Sequence, residues 1–161
     1  MNSKNYLLII RIILIFFILA TALSGLTAFP LETELRIITA CCFDESTTLG
    51  RWLLWCYAGV KENSEKYPFI SYGTDWLGFA HLVIATAFIG PIINPIKNIW
   101  IIQWGMIACG GVIILAALAG PVRGIPFYWT LIDCSFGVFG IIPLLICYRL
   151  TQKLEKLNEQ N

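Results

Sequence analysis

Charge is what this chain has least of. Only 13% of its 161 residues are charged and the formal net charge is +1, where an ordinary soluble domain carries about a quarter charged residues. There is no Lys/Arg-rich run, no zinc-finger spacing and no Gly-x-x-x-x-Gly-Lys phosphate loop, so nucleic-acid and nucleotide roles drop out. Histidine is nearly missing too, since His81 stands alone. One imidazole offers a single haem ligand, and a two-histidine transmembrane haem site cannot be built within one chain. The six cysteines form no Cys-x-x-Cys pair, which removes the thiol-redox chemistry that a quinone-linked four-span enzyme would need. No cofactor and no metal is expected.

What remains is apolar. Hydrophobic residues make up 58% of the chain and the mean hydropathy is +0.75, which describes an integral membrane protein. A helix needs roughly 20 mostly apolar residues to cross the hydrocarbon core, because lipid gives the backbone nothing to bond. Four stretches qualify, at about 6–27, 74–93, 99–119 and 128–148, with the breakers Pro30, Asn94-Pro95 and Gly120-Pro121 between them. The expected fold is therefore all-α: a four-helix transmembrane bundle forming a single membrane domain over 1–161. An outer loop occupies about 28–73, and a charged cytoplasmic tail, 149–161, extends the last helix and frays. Tyr6, Trp76, Trp100, Trp104, Tyr128, Trp129 and Tyr148 lie near span ends, as an interfacial aromatic belt requires.

Lys4, Arg11, Lys97, Arg149, Lys153 and Lys156 fall on the side of both termini, while Arg36, Arg51, Lys61, Lys66 and Arg123 fall opposite, mostly within the long loop. Long loops count for less in setting orientation, so both termini are expected in the cytoplasm, most simply at a bacterial cytoplasmic (inner) membrane. Lys4, the apolar run and Ala20-Thr21-Ala22 imitate a secretory signal. Arg11 interrupts that imitation and apolar character continues to Phe29, so the segment reads as a retained span.

A connection as long as 28–73 is expected to carry structure of its own. Leu31, Leu35, Ile38 and Cys42 recur at helical spacing behind Pro30, and Glu32 and Glu34 favour a helix start. A second amphipathic stretch puts Trp52, Trp55, Cys56 and Val60 toward one side, with possible Lys61–Glu65 and Glu62–Lys66 pairs. These two short helices are expected to lie on the outer membrane surface as a lid, although a partner-binding surface would read the same way. In an oxidising compartment Cys41 or Cys42 could bridge to Cys56, leaving an odd thiol. Cys109, Cys134 and Cys147 read as small apolar residues.

Five polar side chains fall in or beside the spans, where such groups are costly and are functional candidates by default: Arg11, Asp75, His81, Gln103 and Asp133. Arg11 can snorkel to headgroups, and Gln103, at similar depth, can bond to Arg11 or to a freed carbonyl. Asp75 reads as a first-turn cap of the second span, and Thr130-x-x-Asp133 matches a capping box if the fourth begins at Leu131. Thr74, Gly78, His81 and Ala85 make a stripe that is small apart from the imidazole, so His81 is expected to face protein. Its expected depth matches that of Asp133, and Arg123 in the turn above could reach the same level. The spans contain Pro91 and Pro143, each able to kink its helix.

Two functions fit. One is a non-enzymatic helix-bundle scaffold or accessory subunit with an outer-surface lid, meeting the bilayer and a membrane-protein partner or a second copy of itself. The other is a membrane-embedded enzyme or small-molecule-binding protein using a His81/Asp133/Arg123 cluster near the outer face, with His81 as acid or base, Asp133 orienting it and Arg123 holding an anion or carbonyl. No spacing specifies a reaction. Transport through inverted repeats has no support, because the halves of the chain lack internal symmetry.

Overall fold

The computed structural model describes residues 2–159. It is 87% helical, with no strand among the described residues. The elements are α1 (Ser3–Ala28), α2 (Leu31–Cys41), α3 (Thr48–Lys66), α4 (Pro68–Ala87), α5 (Ile89–Ile93), α6 (Ile99–Val122) and α7 (Phe127–Glu159). Four helices are long and apolar enough to cross a membrane: α1, α4 with α5 as Pro68–Ile93, α6 and α7.

Four boundaries differ from the sequence reading, each for a local reason. The third span runs through the expected breaker Gly120-Pro121 to Val122, because the Arg123 N–H closes the helix on the carbonyls of Ala119 and Gly120. The second span begins at Pro68 rather than near 74, since proline's fixed φ and missing N–H suit a first turn. Ser71 and Thr74 are accommodated inside it, with the Thr74 hydroxyl donating back to the Ser71 carbonyl at 2.6 Å. Pro91 does interrupt its helix, at Phe88 between α4 and α5, whereas α7 runs unbroken through Pro143. The stretch expected to fray after 149 stays helical to Glu159, with Thr151 and Leu154 buried.

The chain divides into two compact units: the residues up to Leu19 with those from Thr86 onward, and Ala20–Ala85. In the first, α6 and α7 run antiparallel through a turn at Gly124, whose φ of 68° is the left-handed conformation glycine tolerates. Their seam is built from small residues. Gly120 lies against Thr130, the Cys134 thiol reaches the Ile113 carbonyl at 3.9 Å, Gly137 and Gly140 face Cys109, and Gly105 faces Leu144. Small residues of this kind let helix backbones approach where no water drives association. Ile10, Leu14, Phe88, Ile102, Leu144 and Cys147 are fully buried, and the Phe88 ring sits 4.7 Å from that of Phe17.

The second unit contains the end of α1, the α2/α3 pair and α4. Gly25 and Gly78 meet backbone to backbone: a methyl on either would come within 2.7 Å of the other's carbonyl oxygen. That approach lays the Phe29 ring against α4 beside Gly78. Between α2 and α3, Thr47 caps α3 by accepting from the Gly50 N–H at 2.9 Å. The Lys61–Glu65 and Lys66–Glu62 pairs form, at 4.0 and 2.6 Å. Trp52 and Trp55 share a side of α3, their rings stacked at 5.1 Å and 25°; Trp55 is 67% exposed, and Gly50 and Leu53 are the residues α3 buries.

Candidate functional site

His81 is carried by α4 on the stripe expected to face protein, and the stripe does so. Gly78 and Ala85 are buried, His81 is half-buried, and its Cβ lies against Gly25. The imidazole Nδ1 sits 2.8 Å from the Leu77 carbonyl oxygen. A carbonyl only accepts, so Nδ1 is the donor of this bond.

Asp133 and Arg123 belong to the other unit. Because α7 begins at Phe127, Asp133 lies in its second turn and no Thr130–Asp133 capping box forms; the Thr130 hydroxyl instead donates to the Pro126 carbonyl at 3.4 Å. The Asp133 carboxylate is half-buried and has no hydrogen bond or ion pair among the described residues. Arg123 is exposed just beyond α6, and its backbone N–H closes that helix on the carbonyls of Ala119 and Gly120. No ion pair joins Arg123 to Asp133 among the described residues. Asp75 is likewise no cap, since α4 starts at Pro68 and places it beyond the first turn.

Arg11 finds a partner that sequence spacing could not name. Its Nε donates to the Ile92 carbonyl at 3.0 Å. α5 ends at Ile93 and Asn94 turns extended before Pro95, so the last carbonyls of that helix have no intrahelical donor. The Asn98 side-chain amide donates to two carbonyls that backbone N–H groups also reach, Gly90 at 3.1 Å and Asn94 at 2.9 Å, and so ties the turn after α5 together. Gln103 does not reach Arg11; its amide donates to the Tyr148 hydroxyl at 3.5 Å, and Gln152 donates to the same oxygen at 3.0 Å. Asn98 and Gln152 escaped the sequence reading. The signal for Asn98 was its place just after the Asn94-Pro95 breaker; nothing marked Gln152.

Cys41, Cys42 and Cys56 are free thiols, the first two exposed beside a cleft of about 510 Å³ at the α2/α3 turn. Burial pushes the Cys56 thiol above its ordinary pKa, which lowers its thiolate share. No group of three or more His, Cys, Asp or Glu side chains is placed to hold a metal among the described residues. Comparison with protein-family models, curated proteins and solved structures finds no match to this chain.

Proposed function

We propose that the protein is a four-span bundle serving as a scaffold or accessory subunit without catalytic activity. In this reading both termini lie in the cytoplasm of a bacterial cell, and α2 and α3 rest on the outer surface of the inner membrane as a lid. The observation that carries it is how little of the spans the chain covers by itself. Only 11–22% of their apolar windows is buried, and Ile107, Phe136 and Phe139 stand 73%, 67% and 73% exposed. Acyl chains cover some of that surface and helices of a partner cover the rest, the interfaces being of the close, small-residue kind already seen between α6 and α7.

The competing enzyme reading draws on the unengaged Nε2 of His81 and on the Asp133 carboxylate, which has no donor among the described residues. His81→Ala, Asp133→Ala, and Phe136→Ala with Phe139→Ala separate the two in a complementation assay paired with thermal unfolding in mild detergent. The scaffold reading expects the first two to complement and the paired phenylalanine variant to fold but fail. A His81→Ala protein with unchanged melting temperature and lost complementation overturns it.

A further inference from the structure

We propose that Cys41 and Cys42 form a binding site for a soft, two-coordinate cation, copper(I), at the turn between α2 and α3. Cys41 ends α2 and Cys42 caps it, the Cys42 N–H donating to the Ile38 carbonyl at 3.0 Å. Both thiols are exposed, and both line the open cleft of about 510 Å³ at this turn. Free cysteine is ordinarily among the most buried residue types, behaving as a small hydrophobe; two in succession open to solvent add little to packing. Neither thiol has a hydrogen bond or a disulfide among the described residues. The other polar side chains of the cleft are committed to the fold. Thr39 donates to the Leu35 carbonyl at 2.7 Å, Asp44 accepts from the Ser46 hydroxyl and N–H, and Thr47 accepts from the Gly50 N–H. The two sulfurs are what the cleft has left to offer a ligand.

The ligand follows by elimination. Consecutive Cα atoms lie about 3.8 Å apart across a trans peptide, short of the roughly 4.4–6.8 Å that disulfides favour, so the two thiols are poorly placed to oxidise with each other. Cys56, half-buried in α3, is not among the residues that line the cleft. Thiolates are soft ligands and select copper(I), zinc or iron–sulfur clusters over magnesium, calcium or manganese. Structural zinc and the clusters take four protein ligands, and no group of three His, Cys, Asp or Glu is placed to hold a metal among the described residues. Copper(I), a closed-shell ion, is satisfied by two thiolates in line. Spacing alone offered no metal site; the exposure of both thiols does. Binding replaces each thiol proton by a bond to the metal, so two protons leave and no oxidation state changes. The loaded pair carries one negative charge. Thr47, at the positive end of α3, lines the same cleft, and Arg51 is fixed at the turn by donating to the Glu45 carbonyl at 2.9 Å; together they offset the carbonyl end of α2.

The test uses the full chain in detergent, reduced and kept free of oxygen, titrated with copper(I) against a chromogenic copper(I) chelator. The expected result is one copper held per chain, with two sulfur neighbours by X-ray absorption. Cys41→Ser and Cys42→Ser each lose it, whereas Cys56→Ser binds as wild type does. Circular dichroism confirms that each variant keeps its helix content. Because two protons leave, affinity falls as the pH is lowered, and excess zinc(II) does not displace the copper. Maleimide labelling adds a readout independent of affinity: both thiols label in the metal-free chain, and both are protected once copper is bound. Retention of copper by either of the first two variants, its loss in Cys56→Ser, or a third sulfur or nitrogen neighbour overturns the two-thiolate site. Half a copper per chain, carried by dimers, overturns it in favour of thiols shared between two copies.

Discussion

The α6/α7 seam and the meeting of α1 with α4 both rely on glycine, and they rely on it differently. Along α6/α7 a glycine generally faces a side chain: Gly140 faces the Cys109 sulfur, Gly105 the Phe88 ring and a Leu144 methyl, Gly120 the Thr130 hydroxyl. Where α1 meets α4, Gly25 and Gly78 face each other's carbonyl oxygens. Side chains rotate aside; two helix backbones separate only if the helices move apart. The first seam therefore gives way only where the facing side chain can turn, as at Gly140, and not at Gly137, whose Cβ would come within 2.6 Å of the Cys109 carbonyl oxygen; the second depends on one point.

The largest expected effect tests that difference. In Gly78→Ala the new methyl lies 2.7 Å from the Gly25 carbonyl oxygen and 2.9 Å from the Phe29 ring. Overpacking of this kind costs about 1–3 kcal/mol, offset in part by about 1 kcal/mol of helix propensity. Gly140→Ala meets first the Cys109 sulfur, at 2.6 Å, and should be close to neutral. Thermal unfolding in one detergent, with wild type alongside, reads both. If Gly140→Ala is as damaging as Gly78→Ala, the distinction between the two seams fails.

Next in size is the helix start beside a third close approach, in the α2/α3 pair. A Cβ on Gly50 would collide with the Asp44 carbonyl oxygen, and the Gly50 N–H is the donor that Thr47 accepts. Thr47→Ala leaves the glycine in place and removes only the cap, at a cost of about 1 kcal/mol. Hydrogen exchange should then quicken in the first turn of α3 and remain unchanged along α6. A uniform change across both regions would mean that the cap is coupled to the whole fold.

Apolar length made the four span-length helices readable in the sequence, as did Pro30 and Asn94-Pro95 at the breaks beside them; Gly120-Pro121 lies inside α6 and the break falls after Val122. The i, i+4 charge pairs of α3 were readable because a helix alone decides which residues meet. Long-range partners were not. Arg11 and Ile92 lie 81 positions apart, and only the end of α5 reveals which carbonyl needs a donor. The start of α4 was obscured by Ser71, Gly73 and Thr74, which lower local hydropathy. Phe29 could not be set beside α4 without the Gly25/Gly78 approach. His81 was correctly turned toward protein by its small neighbours, since a stripe containing Gly78 and Ala85 has no bulk to give to lipid.

A smaller effect sharpens the comparison from the other side. Gly59, within α3, is a glycine whose Cβ would meet nothing within 4 Å. Gly59→Ala should therefore stabilise by about 0.5–1 kcal/mol, the backbone entropy that glycine loses on entering a helix. Gly110 and Gly111 in α6 are equally open within the chain. If the scaffold reading holds and a partner helix packs on that side, Gly110→Ala should lower partner retention on blue-native gels while leaving the melting temperature of the isolated chain unchanged or raised. An equal gain at both sites with no loss of association would assign that face of α6 to lipid.

The smallest expected effect is a pH dependence confined to the α2/α3 region. The Ser46 hydroxyl, followed by its backbone N–H, donates to the Asp44 carboxylate and holds its pKa below the ordinary value; the hydrogen bond from Lys66, followed by its charge, does the same for Glu62. A depressed carboxylate contributes stability that is complete above its unfolded pKa, about 3.9 for Asp and 4.3 for Glu. That contribution fades as pH falls through the lower folded value. Lys66 is raised by the same Glu62 hydrogen bond and charge, so its share is complete below an ordinary lysine pKa of about 10.4 and lost at more alkaline pH. Both ends of the Glu62–Lys66 pair are well exposed, so solvent and salt screen it and the slope should be shallow. Exchange protection of α3 should hold from pH 5 to 9, fall below about pH 4, and respond less to acid in Asp44→Asn with Glu62→Gln. Loss of α3 protection already at pH 6 would implicate a group other than these two carboxylates.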